Sequence, residues 1–453
     1  MTMKRFDVEI KKNGQIHDER QVTALLGGLQ GVSDLIVVAH GWNNDLADAR
    51  ALYDELLGNV DKLLEARGNT QAPAPLRALD GRTFAACQLF WPSKKFTDEE
   101  LIPGGGAASA AQADRANDRA LERTLDELAE DPARLGQRHK PKVRKRLVER
   151  AKKLANEVTD SENARREYVA VLRSLLDPDQ ASGDDASDDF FSEDAEELFK
   201  RFEAEVIAPG ATGGGGAGTV GGGGMAGAGG AAGIRDAIKG ARAAARRLAN
   251  FATYYQMKAR AGTVGSTGAA AVLRRIRERQ PQIKIHLVGH SFGGRLVTAA
   301  AHALDDDTPA VSMCLLQAAF SHNGLSADFE DGEPGFYRDV IAKRRASGPI
   351  VITHTKNDTA VGIAYPLASR IARQKAAQFG DANDPYGGMG RNGAQRTVEV
   401  DNAEAKLGEV GHAYGGLAPG RIFNLVADTF VKDHSDVRGP QVAYAILCAA
   451  GKA

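Results

Sequence analysis

Cysteine is scarce in this chain: Cys87, Cys314 and Cys448 are the three among 453 residues. Each lies inside an apolar stretch, which fits buried free thiols in a reducing compartment better than a disulfide framework. None sits at a turn or beside a basic residue, which argues against a cysteine nucleophile. Net charge is lacking too. Lysine plus arginine total 58 against 59 aspartate plus glutamate, so no global field recruits nucleic acid or an anionic membrane. Long apolar runs are missing: no segment reads as a membrane span, and no stable membrane insertion is expected. MTMKRFDVEIKKNGQ at the start carries charge throughout and holds no apolar h-region, so no secretory signal is expected and the cytoplasm is the expected location. No cluster of His, Cys and Asp has metal-ligand spacing, so neither a metal nor a cofactor is expected.

What is present is an alternation of short apolar runs with helical patterns. Phe6, Val8 and Ile10 alternate with charged residues before KKNG, a half-exposed strand and a turn. DLIVVAHG, TFAACQLF, IKIHLVG, VSMCLLQAAF, PIVITHT and RIFNLVADTF are apolar with little alternation, as strands covered on both faces should be. Helical stretches such as DLADARALYDELLGNVDKLLEA and GGRLVTAAAHAL separate them. This rhythm predicts an α/β fold with a mostly parallel sheet.

Between Trp91-Pro92-Ser93 and about residue 265 the rhythm breaks. The boundaries expected are a first core segment at 1–100, a charged helical insertion at 101–207, a flexible Gly-rich linker at 208–234 and a second core segment at 235–453. Three apolar stripes mark the insertion: Leu121, Leu125 and Leu128; Leu147, Ala151, Leu154 and Val158; Phe191, Ala195, Leu198 and Phe202. Such helices either pack on each other as a subdomain or serve as a lid. HKPKVRKRLVERAKK is basic and DDASDDFFSEDAEE acidic, and the two are expected to pair. No aromatics interleave the basic residues, so no nucleic-acid partner is expected, whereas a protein partner for the insertion stays open.

GHSFG, from Gly289 to Gly293, follows a strand and precedes a helix, the setting of a nucleophile elbow. The turn there is sharp enough that the side chains flanking Ser291 must vanish, which is why Gly289 and Gly293 are glycines. Upstream, VVAHGWNND ends another apolar strand with His40, Gly41 and Trp42. That is the place for a loop offering a backbone N–H to an oxyanion, so Trp42 and Phe292 are the expected donors. Asn43, Asn44 and Asp45 read as caps of the next helix. Serine needs a base, and the base an orienting acid, in the chain order serine, acid, histidine. Asp358, just past VITHT, is the expected acid, although a helix cap would suit it equally; Asp328 and Asp331 are its rivals. His434 follows the last apolar strand and is the expected base. His412 precedes that strand, so its loop should emerge at the opposite end of the sheet. His290 should point away from the serine.

With these residues in place the chain resembles the α/β-hydrolase superfamily, in particular bacterial serine esterase and lipase-like members with an HGWNN oxyanion turn and a following WPS turn. The resemblance covers roughly residues 1 to 100 and 235 to 453. It implies an eight-stranded, mostly parallel sheet flanked by helices, the triad at the carboxyl ends of the strands, and hydrolysis of a small-molecule or lipid ester through an acyl-enzyme. The large helical insertion departs from compact members. Phe191, Phe199 and Phe202 on it are able either to meet lipid or to form core. An idle scaffold used for protein interaction is the reading from another class.

Overall fold

The alternating first segment and the six apolar runs form seven strands: β1 (Lys4–Glu9), β2 (Asp34–Ala39), β3 (Phe84–Phe90), β4 (Lys284–His290), β5 (Ser312–Leu316), β6 (Ile350–His354) and β7 (Ile422–Val426). They make one sheet in the order β1-β3-β2-β4-β5-β6-β7, and every pairing is parallel. Eight strands were implied by the resemblance; the described residues hold these seven. β2 and β3 are buried along their whole length, whereas β1, on the edge, keeps its charged residues at least partly exposed. The computed structural model describes residues 2–41, 46–93, 125, 139–181, 183, 187–203, 231–305, 309–358, 361, 387–400 and 405–452. Among the described residues no helix is long and apolar enough to cross a membrane.

The chain forms two compact units. One comprises residues 1–97, 257–365 and 380–453; the other comprises 98–256 and 366–379. In the first, helices α1 (Glu19–Gly28) and α2 (Leu46–Ala66) follow β1 and β2. The side chains of Ile36, Val38, Ala86, Val288, Leu316 and Leu425 on one sheet face share a core with α2 and with the C-terminal helix Pro440–Gly451. After β2 the neighbours diverge: β3 pairs on one side and β4 on the other. A crevice at the carboxyl ends is the expected consequence of such a switch in strand order, and Gly41 and Ser291 sit at those two ends.

The second unit has a core of its own. Helices Pro141–Ala155, Glu162–Leu175, Ser187–Ser192 and Ala195–Glu203 pack with Ala231–Thr263 up to Tyr255. Ala151, Leu154, Val158, Leu198 and Phe202 are buried as the stripes required, but Val148 takes the buried place expected of Leu147. Phe190, Phe199 and Phe202 are fully buried and Phe191 half-buried, so the aromatic face is core and not a lipid-facing surface. Of the first stripe, Leu121 and Leu128 lie outside the described residues and Leu125 is buried. The boundaries also shift. The expected linker at 208–234 lies outside the described residues up to 230, and 231–234 open a long helix, because an alanine-rich stretch resumes there. The sheet-bearing unit resumes at Met257, not at 235. Among the ion pairs of this unit, the acidic stretch meets Arg165, Arg166 and Arg201, through Glu196, Asp194 and Glu193, and the basic stretch contributes Arg150 to Glu167.

The two points at which the chain leaves and re-enters the sheet-bearing unit lie side by side. Arg260 donates from Nη1 to the carbonyl of Pro92 at 2.9 Å.

Candidate active site

β4 ends at His290 and a helix, Phe292–His302, begins two residues later, leaving Ser291 alone in the turn. Its backbone has φ 56° and ψ −125°, a conformation that costs a non-glycine residue on the order of 1–3 kcal/mol and persists only where surroundings over-determine it. Here they do: Ser291 N–H donates to Leu316 O at 3.0 Å, and its carbonyl accepts from Gly294 at 2.9 Å and Ala319 at 3.0 Å. The flanking glycines are steric necessities. A Cβ on Gly289 would run into the backbone of Gly293, and one on Gly293 into the carbonyls of Ala39 and His40.

Because the strained turn aims the side chain away from the helix, Ser291 Oγ caps nothing. It lies 2.8 Å from His434 Nε2, and His434 Nδ1 lies 2.8 Å from Asp358 Oδ2. Asp358 is wholly buried, while the His434 side chain is 19% exposed. The other carboxylate oxygen of Asp358 accepts from Val361 N–H at 2.9 Å, which satisfies a buried charge and fixes its rotation. Thus the contact with Val361 N–H and the contact with His434 fall on different oxygens of one residue.

The loops carrying Asp358 and His434 are lashed together. Asn357 donates from Nδ2 to the carbonyls of Asp428 at 3.1 Å and Val431 at 3.0 Å. Asp428 in turn accepts from Thr355 Oγ1 at 2.7 Å and from Lys356 N–H at 3.1 Å. Hydrogen bonds from Thr355 and Lys356 outweigh the partial burial of Asp428 and hold its carboxyl below the usual range. Neither Asn357 nor Asp428 was singled out in the sequence; the only signal is a polar residue at the end of each strand run.

Rivals do not converge on the serine. His412 sits on the exposed loop before β7, packed against Tyr414 with ring centroids 4.9 Å apart. Asp328 closes a local turn by accepting from Gly332 N–H at 3.0 Å. Asp331 is exposed in the left-handed region. The three thiols are buried, and burial pushes Cys87 and Cys448 up to about 12.

Gly41 faces Ser291: a Cβ there would stand 2.6 Å from Ser291 Cβ. Its carbonyl accepts from His40 Nδ1 at 2.9 Å, and His40 Nε2 accepts from Trp91 N–H at 3.3 Å. Burial pulls the His40 imidazole down to about 4, with the Gly41 carbonyl opposing, so the ring is neutral and acts as donor on one side and acceptor on the other. Tyr53 Oη accepts from His40 N–H at 2.7 Å and donates to Leu89 O. Trp42, together with Asn43, Asn44 and Asp45, lies outside the described residues; Phe292 N–H opens the helix directly behind Ser291.

A second Ser-His-Asp set occupies the other end of the strands. His286 Nδ1 is 2.8 Å from Ser312 Oγ and its Nε2 2.8 Å from Asp34 Oδ1, with Arg82 paired to the same carboxylate. All three are fully buried, so this set ties β2, β4 and β5 together and is closed to solvent. Among the described residues no group of His, Cys, Asp and Glu has the geometry to hold a metal ion.

No protein-family model matches the chain, and no curated protein or solved structure matches it significantly.

Proposed function

We propose that this protein is a serine hydrolase of the α/β-hydrolase type that cleaves carboxylic esters through an acyl-enzyme. The observation that carries this reading is the continuous chain from Ser291 Oγ through both nitrogens of His434 to the buried Asp358, with 2.8 Å at each step. In the proposed mechanism His434 accepts the Ser291 proton as Oγ attacks the ester carbonyl, and Asp358 holds the imidazole tautomer with its proton on Nδ1. The N–H groups of Phe292 and Trp42 receive the oxyanion, and the helix dipole behind Phe292 favours that charge. His434 then protonates the leaving alcohol, and water repeats the cycle on the acyl-enzyme. No cofactor enters this scheme. Three buried free thiols support a cytoplasmic setting.

A fluorophosphonate probe, with nitrophenyl esters of increasing chain length, tests the reading. Labelling should fall on Ser291 and vanish in Ser291→Ala, with turnover reduced on the order of a million-fold. Undiminished labelling of the folded alanine variant refutes the assignment.

A further inference from the structure

The base is carried by a long loop, residues 427–439, between β7 and the C-terminal helix. Side-chain hydrogen bonds alone do not place an imidazole; its backbone must be fixed as well. His290 reaches that backbone: its Nε2–H donates to the carbonyl of His434 at 2.8 Å. His290 was expected to point away from the serine into neighbouring structure, and the structure it meets is the backbone of His434. Its ring lies 5.0 Å from the His434 ring. On its other edge, a Cβ at Gly41 would stand 3.1 Å from His290 Nδ1, so the ring also lies against the oxyanion turn.

We propose that His290 is a positioning residue for the general base, anchoring the His434 backbone to the end of β4 so that nucleophile and base take their places from the same rigid strand. This rests on the hydrolase reading above. The end of β4 is a suitable anchor because His290 is held in register against Leu316 of β5 and is only 4% exposed. Burial holds its imidazole down to about 3, so the ring supplies a donor without placing a cation beside His434. The proton on Nε2 leaves Nδ1 as a bare acceptor, and among the described residues that buried nitrogen has no hydrogen-bond partner.

The test compares His290→Leu, which fills the space without a donor, with His290→Gln, whose side-chain amide reaches as far as Nε2. His290→Asn, polar but too short, serves as the second loss variant should the leucine protein fail to fold. In the loss variants fluorophosphonate labelling and kcat should fall about ten- to a hundred-fold with KM little changed, and glutamine should restore both to within about threefold. The far-downfield proton signal of His434 Nδ1–H, assigned by its loss in His434→Ala, should broaden in the leucine and asparagine variants and persist in the glutamine one. Wild-type labelling rates in a folded loss variant, or a glutamine variant as slow as asparagine, would overturn the proposal. If the unmodified protein reacts with no probe or ester, the hydrolase reading fails on its own; the downfield signal then decides the positioning role, an unchanged signal in the loss variants overturning it.

Discussion

Acidification should unfold the sheet-bearing unit through two histidines that flank the candidate site. His40 and His290 are buried without charge, held down to about 4 and about 3 by burial. In the unfolded chain both titrate near 6.5. Between the folded and unfolded values the unfolded state binds the extra proton, so stability is complete above about pH 6.5 and is lost as the pH falls toward the folded values. At pH 5 each ring has lost about 1.5 pH units of its range, or about 2 kcal/mol, and the pair about 4 kcal/mol. That is a large part of the roughly 5–15 kcal/mol that stabilises a typical domain. His286, His302 and His354 are shifted down as well, chiefly by burial, and act in the same direction. Asp34 does not counter this window: burial pushes its carboxyl up, but hydrogen bonds from His286, Arg82 and Ser33 together hold it below the usual range, so its loss comes at lower pH. The chain's two tryptophans, Trp42 and Trp91, both fall in the sheet-bearing unit, so urea unfolding followed by tryptophan fluorescence at pH 7, 6, 5.5 and 5 reports this unit by itself. His290→Gln keeps a donor and removes one titrating ring, and should lose about 2 kcal/mol less than the parent between pH 7 and 5. A parent protein whose unfolding free energy stays flat to within about 1 kcal/mol over that range, or a glutamine variant with the same pH slope, would refute the reasoning.

Three further outcomes follow from the geometry. His434→Ala should lose nearly as much ester turnover as Ser291→Ala, because members of a triad act as a unit, while His412→Ala should stay within about threefold of the parent; the reverse ranking in steady-state kinetics would move the base to His412. Gly293→Ala should cost about 3 kcal/mol in denaturant unfolding and abolish probe labelling, since its Cβ has to displace the carbonyls of Ala39 and His40. Joining Ser93 to Met257 by a short Gly/Ser bridge should give a folded, probe-reactive protein, because the helical unit has its own core and Arg260 meets Pro92. Its preference among ester chain lengths should change if the excised residues select substrate, and an unfolded product would show that they complete the sheet-bearing core.

How much of this was legible beforehand varied with the range of the signal. Strand positions were readable because a buried parallel strand needs an unbroken β-branched or apolar run, a property of five to seven consecutive residues. The elbow was readable for the same reason: Gly289, Ser291 and Gly293 are constrained by one turn. The insertion was readable as helical stripes, but the exact buried member, Val148 and not Leu147, depends on where neighbouring helices sit. The expected tether misjudged residues 231–234, where alanine outweighs glycine.

The sequence by itself determined the strands, the Ser291 turn and a short list of candidate acids and bases, because periodicity and turn sterics act between near neighbours. Tertiary structure alone decided which of them meet. Ser291 and His434 are 143 positions apart, and His434 and Asp358 76; only the order of β4, β5, β6 and β7 in the sheet brings their carboxyl ends together. The same is true of the Asn357 tie to the Asp428 loop and of His290 on the His434 carbonyl. Each rests on one or two hydrogen bonds between distant segments, and no local pattern in the chain records it. The set Ser312, His286 and Asp34 makes the point from the other side: identical residue types, also joined across strands, become a buried brace because they fall at the amino ends of the strands, where the sheet is closed.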